Sequence, residues 1–189
     1  MSTCNNKVLL LIGGRSLMTE AVVSHFLEQG VGQVRAYSGD EEGLTVLRDR
    51  LQAADAEMAA RVKYYVGDVY DPSYLAEAMD GVDFVVYETW NLKPETCEAD
   101  PAEACIELLK PVNVSMDTAI QQSVKKLVVI GLDYAEPRFD TRSLIAALLE
   151  KVVVAQGRHQ VKDDITTISY VRPSNKSLIE LIDSVYACA

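Results

Sequence analysis

The chain has 189 residues, 49% apolar and 24% charged, which fits one domain with a full core and excludes a disordered or fibrous chain. Its 28 acidic and 18 basic residues leave a net charge of −10, with no basic cluster beyond Lys125-Lys126, so no nucleic-acid partner is expected. No apolar run approaches the roughly 20 residues of a membrane helix. Two histidines and four cysteines without a C-x-x-C pair predict reduced thiols in a cytoplasmic protein, with no metal site.

Lys7–Ile12 reads as a buried strand; with only Lys7 before its apolar run and Gly13-Gly14 after it, it makes a poor secretory signal. Leu17–Gln29 has apolar residues at helical spacing, and Gly30 stands where a C-cap glycine would. A second strand follows at Gln33–Tyr37, then a helical stretch, Glu41–Ala60, with a break expected near Asp55. Val62–Val66 is a third strand, and Asp71-Pro72 opens a short helix to Met79 with Asp71 as N-cap.

A fourth strand is expected over Asp83–Tyr87. Asp100-Pro101 repeats the cap-plus-proline start of a helix to about Ser123, which Pro111 should kink. Lys126–Ile130 is a fifth strand, Ser143–Gln160 a helix, Thr166–Val171 a sixth strand and Ser177–Ala187 a last helix. Strands alternating with helices predict an α/β fold: a Rossmann-like, doubly wound parallel sheet of about six strands in a single domain spanning the chain.

Such a sheet takes ligands beyond the carboxyl ends of its strands, at the point where strand order reverses. The first strand-to-helix turn reads Gly13-Gly14-Arg15-Ser16-Leu17-Met18-Thr19. A dinucleotide loop wants glycines for the tight turn, for the approach of the pyrophosphate and for helix–strand packing. Gly13 or Gly14 meets the first need, while Ser16 and Thr19 stand where the later glycines would fall. Gly13, Gly14, Ser16 and Leu17 therefore either cradle a phosphate or merely turn the chain. Beyond the second strand, Ser38 and Asp40 could hold an adenosine ribose, or Asp40 could be the N-cap of the next helix. Beyond the third, Asp68 and Val69 could meet the adenine, or Asp68 could form an Asp-turn.

Several fragments, in order and at matching spacing, resemble the extended short-chain dehydrogenase/reductases, and among them the CapD-like polysaccharide-biosynthesis branch, the nucleotide-sugar 4,6-dehydratases. Arg35 to Glu41 is similar to R-x-Y-S-R-D-E, Val66 to Asp71 to I-G-D-V-R-D, Ala78 to Val86 to A-M-x-G-V-D-Y-V-V, and Thr96 to Pro101 to T-C-E-x-N-P. The resemblance implies an NAD(P)-binding Rossmann domain acting in nucleotide-sugar metabolism and a homo-oligomer paired through Pro101–Ser123 and Ser143–Gln160; Gly39 and Asp40 turn the cofactor expectation to NAD, weakly bound.

The departures point away from the family's chemistry. Its glycine loop is T-G-G-T-G-S-F-G, and Gly39 replaces the arginine that would meet the 2′-phosphate of NADP. Arg142 and Ala146 stand at the positions of the family's catalytic tyrosine and lysine, and the sequence contains no Y-x-x-x-K. Asp133, beside Tyr134, falls where the dehydratases carry an acid, or is a plain strand-end aspartate. After Tyr170-Val171-Arg172-Pro173 one helix remains, so no substrate lobe is expected. Tyr87 and Trp90 are expected to fill the space of a nicotinamide ribose or to cap the core, and His25 to lie at the surface or its boundary. The reading is a non-catalytic domain binding a nucleotide, weakly and as NAD, or a protein partner. The alternatives are an active dehydratase or epimerase with rearranged residues, and a structural subunit binding no nucleotide.

Overall fold

The structure, a computed structural model, describes residues 6–13, 17–89, 93–132, 140–160 and 166–171. The elements run β1 (Val8–Ile12), α1 (Leu17–Glu28), β2 (Gln33–Ser38), α2 (Glu41–Ala54), α3 (Ala56–Ala59), β3 (Val62–Val66), α4 (Pro72–Met79), β4 (Phe84–Glu88), α5 (Pro94–Ala99), α6 (Pro101–Gln121), β5 (Lys126–Ile130), α7 (Thr141–Gln160) and β6 (Thr167–Val171). The six strands form one sheet in the order β3-β2-β1-β4-β5-β6, every pair parallel. Strand order reverses between β1 and β4, which defines the switch point.

Alternation along the strands divides the core. Leu10, Ile12, Val85, Tyr87, Leu127 and Val129 pack on one face with residues of α4, α6 and α7. Leu9, Leu11, Val34, Ala36, Phe84 and Val86 pack on the other with α1 and α2. Both faces being covered explains why β4 and β5 are buried along their whole lengths.

The caps follow the sequence signals. Gly30, at φ 86°, ends α1 with its N–H donating to the Leu27 carbonyl and that of Val31 to the Phe26 carbonyl, the double bond that closes a helix through a left-handed residue. Asp55 does break the long helical stretch, accepting from the N–H groups of Glu57 and Met58. Asp71 and Asp100 cap α4 and α6, each followed by proline. The helix α6 runs through Pro111, which is buried.

The structure adds one element and corrects one expectation. Helix α5 lies in a stretch that carried no helix expectation; a proline start and six residues are too little periodicity to read. His25 is buried, its ring edge-on to Phe26. The first histidine of an otherwise apolar helix face goes inward with its neighbours. Of the two roles left open for Tyr87, the structure has the one in the core. The final helix, Trp90 and the Asp133-Tyr134 pair lie outside the described residues.

Candidate functional site

The carboxyl ends of β1, β2, β3, β4 and β5 bring together Gly13, Ser38, Gly67-Asp68, Glu88-Thr89 and Gly131 on one edge of the sheet. The Gly13 N–H donates to the Tyr37 carbonyl at 3.0 Å, and its φ of 153° suits a residue without a Cβ. Gly14 and Ser16 lie outside the described residues; Leu17 begins α1.

On the β2–β3 side the candidate residues are locally engaged. The Ser38 Oγ accepts from the Asp40 N–H at 3.1 Å, and Asp40 Oδ1 accepts from the Gly43 N–H at 3.1 Å, capping α2. Asp68 Oδ1 accepts from the Tyr70 N–H at 2.9 Å, closing an Asp-turn, and Val69 packs partly buried against the core. The structure thus gives Asp40 and Asp68 the cap and turn roles, while leaving the carboxylates at the strand ends where a ribose and base would lie.

Tyr37 is fully buried, its hydroxyl donating to the Asp68 carbonyl at 2.9 Å. Burial first, then the charges of Asp68 and Asp71, pushes its pKa up to about 12. Burial also raises that of Tyr87. Neither tyrosine is tuned for proton transfer near neutral pH, which asks for a shift in the opposite direction.

On α7, Arg142 is half-buried and Ala146 buried one turn further on. An alanine methyl there offers neither charge nor hydrogen bond. Burial raises the Cys97 thiol, with Arg142 opposing, so this buried cysteine is not an activated nucleophile. Among the described residues no group of three His, Cys, Asp or Glu could hold a metal ion, and no helix is long and apolar enough to cross a membrane.

A residue missed in the sequence is central to the geometry. Glu88, 7% exposed, closes β4 and accepts at Oε2 from the Thr19 hydroxyl at 2.8 Å. A Cβ placed on Gly13 would lie 2.7 Å from the same oxygen. The carboxyl group therefore lies against the Gly13 backbone at the end of β1, the side of the sheet from which a ligand of this fold would approach. Among the described residues, Ser38, Asp40 and Asp68 fit the adenosine end of a dinucleotide, whereas Glu88 beside Gly13 sets a carboxyl group at its diphosphate end. Thr19, 1% exposed, fills the place of the third loop glycine, and its hydroxyl is what holds Glu88 there.

A family model described as polysaccharide biosynthesis protein matches residues 9–177. Among curated proteins, the UDP-glucose 4-epimerase of Rickettsia conorii is 31% identical over 185 residues, covering 93% of this chain and 52% of that protein. Among solved structures, Pen from Bacillus thuringiensis superposes with a TM-score of 0.78 at 22% identity, over 90% of this chain and 52% of that one. The dTDP-glucose 4,6-dehydratase DesIV of Streptomyces venezuelae, solved with NAD and TYD bound, gives 0.67 at 16% identity, over 87% of this chain and 55% of that one. These structures share the fold, and the chain spans about half the length of the curated relatives it matches.

Proposed function

The chain belongs to the polysaccharide biosynthesis protein family, matched over residues 9–177, and from that membership we propose that it is a non-catalytic Rossmann domain binding a nucleotide weakly or a protein partner. The observation that carries this reading is the pair on α7. Counted without gaps to Glu150-Lys151, Arg142 and the buried Ala146 fall at the positions of the tyrosine and lysine of the dehydrogenases that the sequence resembles, which supports the loss of the group that transfers the proton and the one that holds the ribose. A general acid–base group supplies about 10²–10⁴-fold in rate, and no tyrosine described at the cleft is tuned to replace it.

NAD is the favoured nucleotide, with Gly13, Gly14, Ser16 and Leu17 at the turn, Ser38 and Asp40 near the ribose and Asp68 and Val69 near the base. The proposed assembly is a homodimer through α6 and α7, where Ile106, Leu144 and Leu148 are exposed at 51%, 59% and 46%. A thermal-shift screen against NAD(H), NADP(H) and UDP-sugars tests the ligand, because binding raises stability by mass action, about 2.7 kcal/mol at 100 times the dissociation constant. A small NAD(H)-specific shift at millimolar ligand supports weak binding; a large shift at micromolar ligand contradicts it. The similarity to UDP-glucose 4-epimerases favours one second reading, an active nucleotide-sugar enzyme with rearranged residues.

A further inference from the structure

We infer that Glu88 is a built-in anion that takes the diphosphate end of the nucleotide cleft, and so sets how weakly the domain binds a dinucleotide. The inference rests on the reading of the cleft as a weak nucleotide site.

Three observations converge on this residue. Glu88 ends β4, and β4 neighbours β1 at the switch point, so its side chain leaves the sheet where ligands of this fold bind. Its Oε2 accepts from Thr19, in the first turn of α1, and both side chains are buried. That oxygen also lies over Gly13, so close that a Cβ there would meet it at 2.7 Å. The first turn of a helix favours negative charge through its free N–H groups and its dipole. In relatives of this architecture the anion supplied there is the ligand's diphosphate. Here the chain supplies a carboxylate from its own fourth strand.

Two consequences separate this role from a purely structural clasp between α1 and β4. A ligand carrying a diphosphate meets a like charge in a cleft of low dielectric, whereas an uncharged nucleoside does not. A glutamine at position 88 keeps an oxygen to accept from Thr19 but carries no charge, so it leaves the clasp intact and removes the repulsion.

The test is calorimetry of NAD+ and of adenosine with the whole chain and three variants. Glu88→Gln is expected to bind NAD+ about tenfold tighter or more than the unaltered chain, with adenosine unchanged. Thr19→Val, which breaks the clasp and keeps the charge, should gain nothing. Should the glutamine variant not fold, Glu88→Met removes the charge at similar size and is expected to show the same gain for NAD+ with adenosine unchanged. A folded Glu88→Gln that binds NAD+ no tighter than the unaltered chain overturns the inference while leaving weak binding intact. An equal gain for adenosine also overturns it, since the gain would then not depend on the diphosphate. Tight NAD+ binding by the unaltered chain would instead refute the weak-site reading itself.

Discussion

The carboxylate of Glu98, on α5, accepts both the backbone N–H of Thr141 at 2.7 Å and its hydroxyl at 2.9 Å, tying a six-residue helix to the first residue of α7. With Asp140 Oδ1 accepting from the Ser143 N–H at 2.8 Å, two acidic side chains satisfy N–H groups that α7 cannot pair internally. This fixes the start of the helix that carries Arg142 and Ala146. Glu98→Ala should therefore cost about 0.5–1 kcal/mol, the lower range for a lost cap because the site is exposed. Chemical denaturation reads this directly; no change in midpoint would show that α7 starts without help from α5.

At the opposite edge of the sheet Asp83 gathers three donors: Lys7 Nζ at 3.0 Å, Lys125 Nζ at 2.8 Å and the Val8 N–H at 3.0 Å. Burial alone would raise its pKa, but the bonds from Lys125, Val8 and Lys7 outweigh it and hold the carboxyl below the usual aspartate value. A carboxyl whose pKa is lower folded than unfolded stabilises above the unfolded pKa, about 3.9, and loses that contribution as pH falls through the folded one. The stability gap between the unaltered chain and Asp83→Asn should thus stay level from neutral pH to about 5 and shrink below about 4. A gap that widens on acidification would contradict the assigned direction.

Much of the fold is legible in the sequence because strand burial, aspartate caps and proline starts are local. Asp55, Asp71-Pro72 and Asp100-Pro101 each set a boundary where the structure has it. The site is legible only in part. Asp40 and Asp68 can be placed at strand ends, yet whether each caps its own backbone or faces a ligand depends on geometry. Glu88 is hidden altogether. It reads as the first residue past a strand expected to end at Tyr87, and only the parallel register of β4 beside β1 sets it over Gly13 and next to a threonine 69 residues away.

Dinucleotide preference should favour NAD(H) over NADP(H). Gly39 offers no charge to a 2′-phosphate, and the Asp40 carboxylate beside it would repel one. Calorimetry with both cofactors checks this, and tighter NADP(H) binding would remove Asp40 from the ribose site.

In solution the chain should be a dimer. Leu144 and Leu148 are exposed one turn apart on α7, and Ile106 is exposed on α6. Leu148→Glu should convert the dimer to a monomer of 20.8 kDa by light scattering without loss of helix content. A monomer before any substitution would mean that these side chains are covered within the chain or left in water.

The central claim is that the domain binds without catalysing, and the direct measurement is turnover. Purified chain incubated with NAD+ and UDP-glucose should yield neither keto-sugar nor epimer above the rate of a blank, because Arg142 and Ala146 supply no proton-transfer group. Formation of either product, abolished by Asp133→Asn, would contradict the account and make the chain a working enzyme with rearranged residues.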